Sequence, residues 1–167
     1  VVELPSLQRR IEPLVDLRAF MAVYRLIRSR RFHLVHTHIS KAGFIGRLAS
    51  WCAGVPVVAH TYHGWVEELH DQDAAGRMLL ACERLAARAS DALIAVSASV
   101  VDEALCHGIG SPPQYKVVPN GIDLARFREQ PSDLKSLEGL PVVGAIGSMT
   151  REKGFDVLLD AMTAVRA

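Results

Sequence analysis

HTHISKAGFIGRLASWCAGVPVVAHTYHGW, running from His36 to Trp65, is the stretch that decides the fold. It opens on the end of an apolar β-type run, Phe32 to Thr37 (FHLVHT), and turns polar at His38. Ser40 stands where a helix N-cap belongs, and Phe44, Ile45, Leu48, Ala49 and Cys52 then recur at helical spacing. Gly54 sits just past the last periodic residue, the usual place for a helix to stop. Pro56 to Thr61 (PVVAHT) is the next apolar run, and it too ends in polar residues. Strand, helix and strand with short connections form a unit of a parallel sheet.

The same alternation extends outward. Upstream, Val1 to Leu4 reads as the tail of a strand. Leu14 to Arg28 carries Leu14, Leu17, Phe20, Met21, Tyr24 and Ile27 at helical spacing. Downstream, a long helix is expected from about Ala74 to Ala89. Ala92 to Val96 (ALIAV) has the continuous apolar character of a strand buried on both faces. Ser97 or Ser99 is expected to cap a helix ending near Cys106, with Gly108 as its stop and a short strand at Lys116 to Val118. The pattern predicts an α/β fold with a Rossmann-like, doubly wound parallel sheet over residues 1–128. A polar linker is expected over 129–140, with a helical turn near Leu134 to Leu137. A new buried strand (Val142 to Ile146) and an amphipathic helix (Phe155 to Val165) would then open a second domain over 141–167.

Composition narrows the function classes. Half of the residues are hydrophobic, 22% are charged and the formal net charge is +1, so no nucleic-acid partner is implied. The local charge is uneven. Arg9, Arg10, Arg18, Arg25, Arg28, Arg30 and Arg31 face only Glu12 and Asp16 between positions 8 and 31. Such a segment is either a solvated helix face or a patch that meets anionic lipid. Cys52, Cys82 and Cys106 form no C-x-x-C pair, and buried thiols in a reducing cytoplasm fit them best. No apolar run approaches the roughly 18 residues of a membrane span.

In an open parallel sheet, ligands bind at the carboxyl ends of the strands. Polar or glycine-containing segments stand at each of those ends: His36-Thr37-His38, His60-Thr61-Tyr62-His63-Gly64, Ser97 and Pro119-Asn120-Gly121. The strand expected to open the second domain ends in Gly147-Ser148-Met149-Thr150-Arg151-Glu152-Lys153-Gly154. A helix N-terminus with a lysine beside it favours an anion there, and Gly147 allows close backbone approach.

At these residues a specific resemblance emerges. The stretch from His36 to Trp65 resembles the H-x-H-x-S-K-A-G-x-x-G-R-x-A, G-V-P and H-T-x-H-G signatures of bacterial family-four retaining glycosyltransferases of the GT-B fold. ERLAARASDALIAVSASV, VVPNGIDLARF and VVGAIGSMTREKGFDVLLDAM are similar to later segments of that family, in the family's own order. The resemblance implies a nucleotide-sugar donor, a lipid-linked or polysaccharide acceptor, and neither a cofactor nor a metal. It implies that His63 lines the cleft near the donor sugar as a catalytic group. Gly147, Ser148, Arg151, Lys153 and Gly154 would hold the donor, with Lys153 on its diphosphate. Ser148 stands where the family often has arginine, so Arg151 compensates or Lys153 carries more of the binding. His38, Lys41, Gly64, Ser97 and Asn120 would shape the acceptor side.

The family's first glycine-rich turn and its E-x7-E motif have no counterpart in the sequence, so a piece truncated at both ends and inactive alone is expected. The implied location is cytoplasmic, with peripheral contact at an anionic membrane.

Two other readings stay open. His36, His38, His60 and His63 could be the ligand cluster of a metal-dependent hydrolase. Ser40 and Lys41 replace the aspartate such a site would need, and a lysine would repel the cation. The chain could also be a non-catalytic Rossmann-like module that binds a sugar nucleotide.

Overall fold

The computed structural model describes residues 1–8, 10–64, 74–128, 142–150 and 153–165. The chain folds as two units, Val1–Ile122 and Asp123–Ala167.

The first unit is a parallel α/β sheet in which β1 (Leu34–His38), β2 (Val57–Tyr62), β3 (Ala92–Ala95) and β4 (Tyr115–Val117) lie in sequence order. This is the Rossmann-like architecture the sequence predicted. Because every strand runs the same way, all four carboxyl ends share one edge. The connections are α2 (Ser40–Ala53), α3 (Ala74–Arg88) and α4 (Ala98–Cys106), while α1 (Pro13–Arg30) precedes β1 and packs on α2.

Helix α2 approaches the sheet closely where Gly43 and Gly46 face it. A Cβ on Gly43 would lie 2.4 Å from Cε1 of His60, and one on Gly46 would lie 2.7 Å from Cγ2 of Thr37. A hydrophobic core of Tyr62, Leu80, Ala87, Leu93, Ala95, Val100, Ala104, Ile109 and Tyr115 joins β2, β3 and β4 to α3 and α4. Burial of this much apolar surface is the main stabilising term.

Several local expectations are corrected. Ser40 does not cap α2. The cap is Ile39, at φ 66°, ψ 149°, with no side-chain hydrogen bond, and Ser40 is the first helical residue. Gly54 does terminate that helix, in the left-handed region at φ 71°. Ser97 caps α4, its Oγ accepting from the Val100 N–H. β3 is not buried on both faces. Leu93 and Ala95 are buried while Ala92 and Ile94 are only partly so, the alternation of a strand covered better on one side. Val1 to Leu4 forms no strand. Cys52 and Cys106 are exposed and Cys82 is partly buried, so the thiols are not core residues.

In the second unit, α5 (Leu124–Arg128) is a short helix that the polar composition concealed. Val142 to Ile146 is exposed and adopts no strand. A strand is defined by its pairing, and among the described residues this unit holds no strand for it to pair with. Helix α6 forms over Phe155–Val165 as its periodicity predicted. The linker 129–140 lies outside the described residues, as do Trp65, Arg151 and Glu152.

Candidate functional site

The carboxyl edge of β1 and β2 carries a cluster of imidazoles. Parallel pairing sets Thr37 opposite His60 and His38 opposite Thr61. Successive side chains alternate between the faces of a sheet, so His36, His38, Thr61 and, just beyond β2, His63 share one face. The rings follow suit. His36 and His38 centroids are 4.3 Å apart, and His38 and His63 centroids 5.2 Å. Nδ1 of His38 lies 2.9 Å from Nε2 of His63, and Nε2 of His36 lies 2.7 Å from Oγ1 of Thr61.

His60 belongs to the other face. It is 1% exposed, lies beneath Gly43 of α2, and meets the Tyr62 ring edge-on at 4.5 Å. Its Nδ1 is 2.8 Å from Oγ1 of Thr37, which also donates to the Ala59 carbonyl at 3.3 Å. The four histidines considered as metal ligands are therefore split three and one across the sheet. Among the described residues, no three His, Cys, Asp or Glu side chains are grouped as a metal site.

Burial depresses His60 far below its ordinary value of 6.5, to about 2, with the Arg47 charge next in importance. The unfolded chain therefore takes up a proton near pH 6.5 that the folded chain refuses down to about pH 2. Stability from this group is complete above pH 6.5 and is lost as pH falls. Urea unfolding between pH 7 and 5 should show stability declining by about 1.4 kcal/mol per pH unit below pH 6.5. A His60→Gln variant should flatten that slope. A wild-type stability that does not change over the interval would contradict the assignment.

Directly behind the imidazoles lies a network that the sequence did not announce. Nη2 of Arg47 on α2 is 2.7 Å from Oε2 of Glu83 on α3, with both side chains almost fully buried. Nη1 of Arg47 donates to the Tyr62 hydroxyl at 3.1 Å, and that hydroxyl donates to the same Glu83 oxygen at 3.1 Å. Nε of Arg47 donates to the Gly43 carbonyl at 3.1 Å. Burial, and then the Glu83 charge, raise the Tyr62 phenol well above its ordinary value. Tyr62 is thus held as a neutral hydroxyl, and it immediately precedes His63 in the chain.

Of the residues assigned to an acceptor side, His38 and Gly64 lie at this edge beside His63, and all three are exposed. Lys41 pairs with Asp16 of α1 at 2.5 Å and donates to the Arg10 carbonyl. Ser97, at the end of β3, is occupied in capping α4. Asn120 is exposed beyond β4. A cavity of about 460 Å³ occurs instead beside the C-terminal ends of α1 and α2, lined in part by Arg28, Arg31 and His33. That is the amino-terminal edge of the sheet, away from the imidazoles.

In the second unit, the described residues 147–150 and 153–155 lead into α6. Gly147 lies against the Phe155 ring, where an added Cβ would make ordinary contact at 3.4 Å. The Thr150 N–H donates to the Ser148 carbonyl at 2.8 Å, and the Lys153 N–H to the Thr150 carbonyl at 3.0 Å. Gly154 has φ 62° and Lys153 is exposed at the helix start. Ser148 Oγ is 3.4 Å from Thr150 Oγ1.

Known proteins match the chain along most of its length. A family model described as Glycosyltransferase Family 4 matches residues 1–126. Over 123 residues the chain is 32% identical to the UDP-Gal:alpha-D-GlcNAc-diphosphoundecaprenol alpha-1,3-galactosyltransferase of Escherichia coli, covering 74% of this chain and 32% of that protein. It is 31% identical over 152 residues to a D-inositol 3-phosphate glycosyltransferase of Salinispora arenicola, covering 81% and 34%. It is 34% identical over 140 residues to the alpha-maltose-1-phosphate synthase of Mycolicibacterium smegmatis, covering 77% and 36%. The chain spans about a third of the length of these relatives. Among the described residues, no helix is long and apolar enough to cross a membrane.

Proposed function

Because this chain belongs to glycosyltransferase family 4, we propose that its parent enzyme moves a sugar from a nucleotide-sugar to a lipid-linked acceptor with retention of configuration. The observation that carries this reading is the imidazole cluster at the carboxyl edge of β1 and β2, where a parallel sheet binds ligands. His63, exposed and followed by Gly64, is the group assigned to the reacting sugar. Its role is hydrogen bonding and positioning, not covalent attack. The leaving diphosphate is assigned to Lys153 and the free N–H groups at the start of α6, with Gly147, Ser148 and Gly154 shaping the approach and Arg151 adding charge. No resident metal is needed where a cation and a helix terminus share that role.

The lipid-linked acceptor is favoured over a soluble one by α1. Leu14, Leu17 and Met21 are exposed on this helix together with Arg18, Arg25 and Arg28, and at 100° per residue all six fall on one side. Apolar side chains interleaved with arginines and no acid on that side suit an anionic bilayer at the cytoplasmic surface. The name of the E. coli relative also includes a lipid diphosphate.

One assay tests the whole reading. The enzyme of full family length, given nucleotide-sugar and a lipid-linked acceptor, should form an α-linked product from an α-linked donor and keep its activity in excess chelator. Transfer should be faster on phosphatidylglycerol vesicles than on neutral ones. Inversion at the anomeric carbon, or rescue by one divalent ion alone, would overturn the corresponding part.

The donor site has a narrower test. Lys153→Ala should weaken binding of the nucleoside diphosphate by about 1.5–3 kcal/mol, the scale of one charge-assisted hydrogen bond. Arg151→Ala controls for plain charge loss, and Ser148→Arg should leave binding equal or tighter. Equal, small effects at Lys153 and Arg151 in calorimetry would reduce the site to diffuse electrostatics.

A further inference from the structure

We propose that His38 is a positioning residue for His63, holding its ring in one orientation and coupling its tautomer to that of His38 through the Nδ1···Nε2 hydrogen bond of 2.9 Å. The inference rests on the reading of His63 as the group that meets substrate, and it deepens it.

The chemistry of two neutral imidazoles requires this coupling. A hydrogen bond between them needs a proton on one nitrogen and a lone pair on the other, so the tautomers of the two rings are coupled. The Nε2 edge of His63 is consumed by His38. Its Nδ1 edge has no hydrogen-bond partner among the described residues and is the edge left for a substrate hydroxyl or oxygen.

The control runs from His38 to His63, because the backbone of His38 is held on both sides. His38 is the last residue of β1, paired opposite Thr61. It is followed by Ile39 at φ 66°, ψ 149°, a conformation that a β-branched residue adopts only under constraint. That residue is locked into the helix start by the Gly43 N–H, which donates to the Ile39 carbonyl at 2.7 Å. The His36 ring also packs against His38 and is itself tied to Thr61. His63, in contrast, lies past the last paired residue of β2 and before Gly64, where the backbone fixes a side chain least.

Charge favours a neutral His38. The titratable groups around His38 among the described residues are His36 on its own strand and His63 across the edge, while His60 lies on the opposite face. Lys41, the nearest ammonium along the chain, is turned to Asp16 and the Arg10 carbonyl. Partial desolvation among the neighbouring rings, followed by the charges of His36 and His63, lowers the pKa of the exposed His38 below its usual value. It therefore stays neutral near pH 7, the state in which Nδ1 can either donate or accept.

The test has two arms. Long-range proton–nitrogen correlation spectra of the 167-residue chain report the tautomer of His63 directly. His38→Ala should move the His63 nitrogen shifts away from their wild-type tautomer balance, because the hydrogen-bonded partner of Nε2 is gone. His38→Asn, which places an amide where Nδ1 stood, should return the shifts toward the wild-type values. Identical His63 shifts in wild type and His38→Ala would overturn the proposal. In the enzyme of full family length, His38→Ala should lower kcat by about 10- to 100-fold with little change in donor KM, the usual scale for a residue that orients another. His38→Asn should recover most of that loss, and equal losses in the two variants would count against positioning. Should His63→Ala keep full turnover, the reading of His63 fails, while the spectra still decide whether its tautomer is coupled to His38.

Discussion

Glu83→Ala is expected to destabilise the folded chain by about 3–5 kcal/mol, a large share of the stability of a domain this size. Arg47 is 0% exposed, and Glu83 is the only carboxylate paired with it among the described residues. Removing Glu83 leaves a guanidinium in a dry interior, still hydrogen-bonded to the Tyr62 hydroxyl and the Gly43 carbonyl but with no countercharge. The loss is then the desolvation cost of one stranded ion, not the net value of the pair. Arg47→Met combined with Glu83→Leu removes both charges and should be far less damaging than either single change. Urea unfolding of the two singles and the double closes a double-mutant cycle. A single variant losing less than about 1 kcal/mol would mean that the interior around Arg47 is wetter than its burial implies.

That network also marks where the sequence stops being legible. Helix α2 is readable because its apolar residues recur at 3.6-residue spacing and Gly54 ends it. Periodicity says nothing about a charged residue whose partner lies elsewhere in the chain. Arg47 and Glu83 each look like solvated helix residues until the fold brings α2 against α3. The available signal is local: Arg47 sits among Gly43, Gly46, Ala49 and Ser50, a stripe too small to hide anything except a side chain meant to lie beneath it.

The histidines are legible as a polar strand-end cluster, and their partition takes one step more. Alternation alone separates His60 from Thr61 and His63, so the split across the sheet is present in the numbering. Ile39 is not legible at all. A β-branched residue at positive φ runs against local preference, and only the closure of β1 onto α2 imposes it. Val142 to Ile146 shows the converse. Its residues suit a strand, but strand formation depends on neighbours that composition cannot supply.

In the enzyme of full family length, His63→Ala should lower turnover by about 10² or more, the typical cost of losing one well-placed polar group beside a reacting centre. Folding should be nearly unchanged, because His63 is exposed, lies beyond the last residue of β2 and contributes nothing to the hydrophobic core. Comparison with the neighbouring position sharpens the point. Tyr62, one residue earlier, is buried between Arg47 and Glu83, so its truncation should reduce stability and activity together. His63 should reduce activity alone. The two residues are adjacent in sequence but face opposite sides of the sheet edge, one into the ion pair and one toward His38. Unfolding curves and turnover measured on both variants separate the roles. A His63→Ala enzyme that folds normally and turns over at near wild-type rate would leave the imidazole cluster without a catalytic member. The donor site proposed at Lys153 would then have to carry catalysis through diphosphate stabilisation alone.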